Sequence, residues 1–483
     1  MSPKLTLPDP FASIPRHPLL YPFLFSPIHP LPSLSSSLDR ARDVTRKNRH
    51  SGNNKLPAPV QVSLYVKRED HSSPLACAGN KYRKLEYIVP DILSPQPRFG
   101  AGIGGEIPAI PGSADSRSHH AGAAAAGEAE TEAEEASTER RNITTLVTEG
   151  ALQSNHTVQV ASVAGKLGLQ SVVLLHKGTG GGLRTSSDPQ AFQRTGNVQV
   201  VKLLGSDVRI LDPPDPSSGK KTQDDLVDEV LEALRAEGKN PYWIPSGASL
   251  HPLGGLGYAR CAFEIAEQER EMELLQSSSS SSTTSTSFGH SQKASSGRFD
   301  YIFVACGSGS TLGGLIAGFK ILEKTQQQVQ QQTPVQKPQR RPRQIIGILT
   351  SPTQPKPYHE ERILQFARQA GSMIGLDPEN DITMADIRLD DRFGGTGYGV
   401  LDAETKKTLE FVAEREEVIL DPVYTAKVMR GLLDWVSGGQ VERDVAAAYE
   451  EGYYEEQGQG HGHVNALFIH TGGQSALGAY ADI

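Results

Sequence analysis

The chain has 483 residues, enough for two or more domains, and 37% of them are hydrophobic. Its formal net charge is −8, so it has no overall positive field of the kind that attracts nucleic acid. The three cysteines, Cys77, Cys261 and Cys306, are far apart and form no C-x-x-C motif. This spacing excludes a disulfide-rich scaffold and a cysteine zinc site, and it is typical of a reducing compartment.

The longest apolar stretch near the N-terminus reads HPLLYPFLFSPIHP and is interrupted by prolines. It is too short to span a bilayer, and it lacks the charged segment and cleavage site of a signal peptide. We therefore expect a soluble cytoplasmic protein without a membrane partner. The sequence leaves mitochondrial targeting open.

Five segments contain too few apolar residues to offset the entropy lost on ordering, and we interpret them as disordered surface insertions without chemistry. They are residues 40–58, 98–142, 276–297, 326–343 and 446–463. The Ala- and Glu-rich part of the second segment could form a transient helix. Without the insertions, roughly 360 residues remain, the size of a two-domain protein.

Outside the insertions, predicted strands alternate with predicted helices. Runs rich in β-branched residues predict strands at 143–150, 171–176, 299–307, 344–349 and 465–473, and 198–211 supplies further strand material. Apolar residues at helical spacing predict helices at 156–169, 224–238, 311–324, 355–371 and 421–436. The alternation indicates an α/β protein with parallel sheets, in which ligands bind beyond the carboxyl ends of the strands.

The first strand end of interest is followed by Ser154, Asn155, His156 and Thr157, where a predicted strand ends and a predicted helix begins. The simpler interpretation is an N-cap, because Ser or Asn there satisfies the free N–H groups of the first turn. The same N–H groups and the positive end of the helix dipole could instead bind an amino acid's α-carboxylate.

The second strand end reads CGSGSTLGG, residues 306–314, and combines glycines with hydroxyl side chains. This pattern suits a phosphate at the start of a helix, although it could also be only a tight turn. It is no Walker loop, because Gly-Lys-Ser/Thr does not follow. Its likeness to a dinucleotide fingerprint is weak, since no strand ending in an acidic residue follows at the expected spacing.

A third strand end, HTGGQSALGAY, places Thr471, Gly472 and Gly473 after the last strand, where they could form an ordinary turn. The stretch LACAGNKYRKLEY, residues 75–87, adds Lys81 directly behind Gly79 and Asn80. Lysine runs are usually solvated. A lysine combined with a phosphate loop and a carboxylate site nevertheless indicates pyridoxal 5′-phosphate, whose aldehyde lysine binds as a Schiff base. We prefer Lys81 to Lys84, because Gly79 and Asn80 leave space for the ring on its side.

Several motifs together resemble the family of 1-aminocyclopropane-1-carboxylate deaminase and D-cysteine desulfhydrase, and they keep that family's order from about residue 10 to the C-terminus. They are YVKREDHSSPLACAGNKYRKLEYIVPDIL, EGALQSNHTVQVASVAGKLGL, GASLHPLGGLGY, GSGSTLGGLIAGF, ILDPVYTAKVMRGLLDWV and FIHTGGQSALGAY. The resemblance implies a tryptophan synthase β-like, fold-type-II enzyme with two α/β domains and the cofactor between them. It places the small domain at 85–238, builds the large domain from 1–84 and 239–483, and implies a homodimer.

By this resemblance, Lys81 holds the cofactor and moves the Cα proton, and Asn80 lies beside the cofactor. The phosphate is held by the residues of the 307–311 loop, namely Gly307, Ser308, Gly309, Ser310 and Thr311. The substrate carboxylate is held by Ser154, Asn155 and His156, with Ser154 near the reacting face. Tyr398 and Tyr424 match two active-site tyrosines, although each could be a half-buried packing residue.

Individual residues bear on the reaction. In the deaminase branch a glutamate follows the second tyrosine and faces the pyridine nitrogen, and a leucine precedes the final Gly-Gly; this chain has Thr425 and Thr471 there. These threonines, with Gly397 and His156, resemble the desulfhydrase branch. A hydroxyl cannot supply a carboxylate's charge, which suits a reaction that needs less carbanion stabilisation. We therefore expect α,β-elimination from D-cysteine to hydrogen sulfide, pyruvate and ammonia.

Four alternatives stay open at this point. The first is 1-aminocyclopropane-1-carboxylate deamination to 2-oxobutanoate and ammonia. A second is another β-lyase or racemase of the same fold, acting for instance on D-serine or a halogenated alanine. The others are a non-catalytic vitamin B6 carrier, which would not need both tyrosines and Ser154, and a dinucleotide oxidoreductase, which would carry no bound chromophore.

Overall fold

A computed structural model describes the greater part of the chain. The described residues are 5–22, 24–49, 60–101, 142–177, 191–211, 222–279, 297–331, 341–451, 453 and 462–480.

The larger of two sheets has six strands in the order β1-β2-β10-β7-β8-β9. In that order they are Ile28–Pro30, Gln61–Arg68, His463–His470, Tyr301–Cys306, Gln344–Leu349 and Arg388–Asp390. Every pairing is parallel except that of β1 with β2. The carboxyl ends of β7 and β10 therefore lie at one edge of this sheet, and the segments 307–311 and 471–473 follow them directly.

The smaller sheet has four parallel strands in the order β5-β4-β3-β6. They are Asp207–Leu211, Gln170–His176, Thr145–Ala151 and Pro241–Ile244. The central strand β3 is buried along most of its length, as expected for a parallel sheet covered on both faces. The segment 152–157 follows the carboxyl end of β3.

Helices flank both sheets. They are α1 (Asp9–Ala12), α2 (Pro32–Arg49), α3 (Asn80–Ile92), α4 (Asn155–Leu167), α5 (Asn197–Leu203), α6 (Gln223–Ala236), α7 (Leu256–Ser279), α8 (Ser310–Gln331), α9 (Lys356–Met373), α10 (Ala403–Glu416), α11 (Thr425–Ser437) and α12 (Gln440–Glu450). Local signals set several boundaries. Thr222 and Asp225 form a capping box at the start of α6, and Gly168 adopts a left-handed conformation at the end of α4.

Apolar clusters pack against both faces of the larger sheet. Along β7, Ile302 and Val304 belong to the apolar cluster that includes residues of α7, α8 and α9. Tyr301 and Phe303 point the other way, into the cluster with residues of α11. The twofold alternation of a strand thus buries both faces of β7, which explains why its sequence is continuously apolar.

The prediction of an α/β fold with mostly parallel sheets is confirmed. The interpretation of 198–211 as strand material is half right, since its first part forms α5 and only Asp207–Leu211 is a strand. The helix α3 and the strand β2 were not predicted. Their apolar residues are interspersed with lysine and arginine, whose burial no periodicity reveals.

Helices extend into four of the five predicted insertions. In α2, Leu34 and Leu38 pack into the core, and packing of this kind carries a helix into polar sequence. The helices α7, α8 and α12 likewise continue to Ser279, Gln331 and Glu450. The remainder of these insertions, and residues 102–141 of the segment 98–142, lie almost wholly outside the described residues.

Within the described part of the chain, no helix is long and apolar enough to cross a membrane. The same residues contain no cluster of three or more side chains that could hold a metal ion.

Candidate active site

Lys81 lies in the first turn of α3, where this helix meets the end of β10. The backbone N–H of Asn80 donates to the carbonyl oxygen of Thr471 at 3.1 Å, and Gly79 forms a β-bridge with Gly472. A Cβ atom on Gly79 would lie 2.7 Å from the Thr471 oxygen and 2.7 Å from Nε2 of Gln159. Only glycine fits at this close approach, so residue 79 allows the Lys81 helix to pack against the sheet edge.

The Lys81 side chain is half-buried as a whole, but its amine is enclosed by protein. Burial lowers the pKa of Lys81 to about 8, because removing water disfavours the charged ammonium. At pH 7 roughly a tenth of the amine is therefore uncharged, far more than for a lysine with the ordinary pKa of 10.5. An uncharged amine can attack an aldehyde or accept a proton, whereas an ordinary surface lysine cannot do so efficiently.

The glycine- and serine-rich loop lies directly beside the Lys81 helix. Asn80 Nδ2 donates to Thr311 Oγ1 at 3.3 Å, and Lys84 Nζ donates to Ser310 Oγ at 2.8 Å. The structure thus joins residues 80–84 to residues about 230 positions later. The distance between the two motifs is short enough for a single small molecule to contact both.

Lys84 is a residue whose role the sequence did not indicate. It is fully buried, and its Nζ also donates to the carbonyl oxygen of Gly247 at 3.0 Å. Burial and the neighbouring Lys81 amine hold its pKa well below the usual value. Its spacing from Lys81 places both on one face of α3, and this i,i+3 relation was the available signal. A bound anion would restore the charge of Lys84.

The loop itself has the geometry of an anion site. Gly309 has a φ of +102° immediately before Ser310, the first residue of α8. The first N–H groups of a helix have no partner within it and lie at the positive end of its dipole. Apart from its neighbours in the chain, the atom nearest to a Cβ position built on Gly307 is on the Tyr424 ring, at 3.7 Å. There is accordingly space beside Gly307, on the side of Tyr424.

The start of α4 brings Ser154, Asn155 and His156 together. Ser154 is the N-cap residue, yet its side chain makes no capping hydrogen bond. The side-chain oxygen of Asn155 is buried without a hydrogen-bond partner, and His156 Nε2 lies 2.9 Å from Thr148 Oγ1. Burial and the Lys81 and Lys84 amines hold the pKa of His156 well below its usual value, so the ring is neutral. Since the Ser154 hydroxyl is not used as a cap, it is available to a ligand.

Tyr398 and Tyr424 form a pair through a hydrogen bond between their hydroxyl groups, with ring centroids 5.8 Å apart. Burial raises the pKa of both hydroxyls, so both remain protonated. The backbone around Tyr398 is held by Lys427 of α11, whose Nζ donates to the carbonyl oxygens of Gly394 at 2.7 Å and Gly397 at 3.3 Å.

Thr425 and Thr471 are both buried at the same edge of the larger sheet. Thr425 Oγ1 donates to Asp421 Oδ1 at 2.6 Å, and Asp421 also accepts from the backbone N–H groups at the start of α11. A Cβ atom on Gly473, two residues after Thr471, would lie 2.9 Å from the Asp421 carboxyl carbon. The Thr425 hydroxyl is therefore hydrogen-bonded directly to the Asp421 carboxylate.

These contacts link the sequence-predicted residues into one chain of neighbours. Asn80, the neighbour of Lys81 in the chain, adjoins Thr311 and Thr471. The 307–311 loop adjoins Tyr424, and Tyr424 adjoins Tyr398. The α4 terminus joins them, because Asn155 Nδ2 lies 2.9 Å from a Cβ position built on Gly79. A lysine with a lowered pKa, a helix-terminal anion loop and a buried second lysine fit an aldehyde cofactor with a phosphate.

Comparison with known proteins agrees with this fit. The family of pyridoxal-phosphate-dependent enzymes matches residues 117–448, more than half of the chain, although the match does not include Lys81. A 1-aminocyclopropane-1-carboxylate deaminase of Burkholderia multivorans is 30% identical over 469 residues, covering 97% of both chains. Another, from Ralstonia nicotianae, is 31% identical and covers 97% of this chain and 96% of its own length.

The solved structure of an ACC deaminase homologue superimposes with a TM-score of 0.59 at 25% sequence identity, covering 98% of this chain and 96% of that one. The curated relatives thus have the name of the alternative reaction, the deamination of the cyclopropane amino acid, rather than that of D-cysteine elimination. The fold, the cofactor class and the similarity along the whole chain all indicate the same family. The chain belongs to the pyridoxal-phosphate-dependent enzymes of fold type II, in the family of 1-aminocyclopropane-1-carboxylate deaminase and D-cysteine desulfhydrase.

Proposed function

We propose that this enzyme catalyses α,β-elimination from D-cysteine and releases hydrogen sulfide, pyruvate and ammonia. Pyridoxal phosphate, when bound, supplies an electron sink for the negative charge that develops at Cα. Lys81 would hold the cofactor aldehyde covalently and then, as a free amine, take the Cα proton. Its lowered pKa of about 8 supports this role, because a general base works best when its pKa is near the working pH.

The start of α4 would bind the substrate carboxylate. Its free N–H groups and the Ser154 hydroxyl provide donors, and the neutral His156 ring adds no competing charge. Residues 307–311 would hold the phosphate, with Lys84 as a buried counter-charge. Lys81 would then lie between the two sites, because the start of its helix contacts Thr311 of the loop and lies near Asn155 of α4.

The choice of reaction rests on one observation, the presence of Thr425 where the deaminase branch has a glutamate. Its only hydroxyl proton is donated to Asp421, so towards a ring nitrogen it can offer an uncharged oxygen but no carboxylate. In elimination the Cα–H and Cβ–S bonds break, the proton passes to Lys81 and the electron pair leaves with sulfur. The departing thiolate removes the charge, so little stabilisation by the ring is needed. The aminoacrylate that remains is hydrolysed to pyruvate and ammonia.

A second candidate is the opening of 1-aminocyclopropane-1-carboxylate to 2-oxobutanoate and ammonia. The names of the full-length relatives support it better than they support D-cysteine elimination. Asp421 supports it as well, because a carboxylate hydrogen-bonded to Thr425 could reinforce that hydroxyl as an acceptor. Burial raises the pKa of Asp421, which weakens this support.

The deciding experiment assays both substrates on one preparation of the holoenzyme, with sulfide and 2-oxobutanoate as products. We expect kcat/KM for D-cysteine to exceed that for the cyclopropane amino acid by at least roughly tenfold. Faster 2-oxobutanoate formation would instead establish the second candidate. L-cysteine serves as the stereochemical control.

A paired substitution tests whether positions 425 and 471 decide the reaction. Replacing Thr425→Glu together with Thr471→Leu introduces the residues of the deaminase branch. We expect sulfide release from D-cysteine to fall, and the ratio of ring opening to sulfide release to rise. An unchanged ratio of the two activities would remove Thr425 as the basis of the assignment.

The covalent role of Lys81 has its own test. We expect Lys81→Ala to abolish the absorption band of the lysine-bound cofactor near the edge of the visible range. A variant that kept both this band and full turnover would exclude Lys81, whichever substrate is used.

A further inference from the structure

Gln159 is a fully buried residue one turn into α4. Its Oε1 accepts two hydrogen bonds from the neighbouring helix α3, from the backbone N–H of Lys81 at 2.9 Å and of Tyr82 at 3.0 Å. A side chain of the helix whose start carries Ser154 thus holds the first turn of the helix that carries Lys81.

The first turn of α3 needs this acceptor. Its N-cap residue is Gly79, which has no side chain and makes no capping hydrogen bond. The first N–H groups of a helix otherwise have no partner, and burial without one is costly. Gln159 therefore caps α3 from outside, in place of the Ser, Thr, Asp or Asn that usually does so.

The other end of the Gln159 amide faces the same junction. Nε2 is buried without a hydrogen-bond partner and lies 2.7 Å from a Cβ position built on Gly79. Asn155 Nδ2 lies 2.9 Å from that point. A packing residue could be apolar here at lower cost. The hydrogen bonds that this amide makes at the junction are those accepted by its oxygen.

We propose that Gln159 is a positioning residue that fixes Lys81 relative to the substrate-carboxylate site at the start of α4. The inference rests on the roles proposed above for Lys81 and for Ser154–His156. Gln159 touches neither reacting atoms nor cofactor in this scheme. It acts through the backbone of residues 81 and 82, so that the amine and the carboxylate site keep one geometry.

Among the residues that the structure describes, few charged or titratable groups surround the Lys81 amine. Lys84 on the same helix lies beside it, and His156 faces it from α4. Gln159 is neutral and adds no charge. Its removal should act by loosening the first turn of α3 and admitting water, which reduces the desolvation that lowers the pKa of Lys81.

The test uses the full-length protein without cofactor, so that it does not depend on turnover. The extent of reductive methylation of Lys81 is followed by mass spectrometry as a function of pH, and gives its pKa. Pyridoxal phosphate is then titrated back to measure affinity. The variants are Gln159→Met, of similar size but without the acceptor, and Gln159→Glu, which keeps it.

The matched control is Gln153→Met. Gln153 is also a buried glutamine that caps a helix from outside, since its Oε1 accepts from the N–H of Asn197 at 3.0 Å and its Nε2 donates to the carbonyl oxygen of Phe192. The helix that Gln153 caps is α5, which does not carry Lys81. The two Met variants therefore lose comparable buried hydrogen bonds at different places.

In Gln159→Met we expect the pKa of Lys81 to rise by at least about one unit and cofactor affinity to fall at least roughly tenfold. In Gln159→Glu we expect affinity to stay within about fivefold of the wild type. In Gln153→Met we expect thermal stability to fall while the pKa of Lys81 stays unchanged.

An unchanged pKa of Lys81 in Gln159→Met, with a stability loss like that of the control, would reduce Gln159 to a structural residue and overturn the proposal. If Gln159→Met does not fold, Gln159→Glu decides, and a large loss of affinity there overturns the proposal as well. A failure of the role proposed for Lys81 is a different result: Lys81→Ala would then keep the cofactor band, whatever the Gln159 variants do.

Discussion

At the scale of single residues, two lysines in adjacent turns of α3 differ in what surrounds them. Lys84 donates to Ser310 and to the carbonyl oxygen of Gly247, so its amine is engaged with the phosphate loop. Lys81 has a pKa lowered to about 8, mainly by burial. The two amines are close together, so protonation of one opposes protonation of the other. Since the pKa of Lys84 is lowered as well, the assignment of Lys84 to anion binding rests on its hydrogen bonds to Gly247 and Ser310 and not on the pKa values.

This difference predicts how the cofactor-free protein recombines with pyridoxal phosphate. Only the neutral amine attacks the aldehyde, and a pKa lowered to about 8 makes Lys81 neutral above that pH. We expect the recombination rate, followed by absorbance, to rise with pH through a midpoint near 8. Lys81→Ala is the control and should give no band. A midpoint near the ordinary lysine value of 10.5 would contradict the burial of this amine.

At the scale of elements, α3 is anchored by buried charges on the side away from the site. Arg83 of α3 forms ion pairs with Glu69 and with Glu264 of α7, and Lys67 of β2 pairs with Glu264 at 2.7 Å. All four side chains are buried, and their two positive and two negative charges balance. Removing one partner of such a group leaves an uncompensated buried charge, which costs more than the group contributes when complete.

Glu264→Gln should therefore lower the free energy of unfolding by about 3–5 kcal/mol. Urea unfolding measures this, and Glu267→Gln on the same helix is the control. Glu267 pairs with the exposed Arg270, and its loss should cost less than about 1 kcal/mol. Equal effects of the two substitutions would show that the buried group does not anchor α3.

The pH dependence of this effect has a definite sign. Arg83 and Lys67 hold the pKa of Glu264 well below its usual 4.5, although burial opposes them. A lowered folded-state pKa stabilises the protein above pH 4.5 and loses that contribution as the pH falls towards the folded value. We expect the stability difference between wild type and Glu264→Gln to shrink below about pH 4. A difference that stayed constant down to pH 3 would contradict this linkage.

A second element contact holds the tyrosine pair. Lys427 of α11 donates to the carbonyl oxygens of Gly394 and Gly397, which fixes the segment that carries Tyr398. Lys427→Met should lower kcat at least roughly tenfold, because Tyr398 loses its fixed position. Lys406→Met on α10 is the control, since Lys406 pairs with Glu410 at the surface. Full activity of Lys427→Met would separate this contact from catalysis.

At the scale of the whole molecule, the sheet edges bring together residues from both ends of the chain. The end of β10 adjoins α3, and the end of β7 adjoins both α3 and α11. The domain boundaries 1–84, 85–238 and 239–483 stay a prediction, as does the homodimer. Light scattering on the purified holoenzyme checks the latter, with twice the monomer mass as the expected result.

The segment 98–142 can be tested for dispensability. Its described ends lie close together, because the carbonyl oxygen of Gly100 accepts from the N–H of Trp243 and that of Asn142 accepts from Asn240 Nδ2. A short Gly/Ser linker could therefore replace residues 102–141. We expect kcat/KM to change by less than about twofold, because residues 102–141 contain few large apolar side chains. A large loss of activity would assign the segment a function that its composition does not indicate.

The sequence by itself determined the α/β class, the strand ends that carry small polar residues, and Lys81 with its cofactor, because these depend on local periodicity and on motifs with a specific chemistry. It did not show that 198–203 is helical, that α2 continues through polar residues, or that Lys84 and Gln159 adjoin Lys81. These features depend on contacts between residues tens to hundreds of positions apart, and only the tertiary structure decides burial and hydrogen-bond partners over such separations.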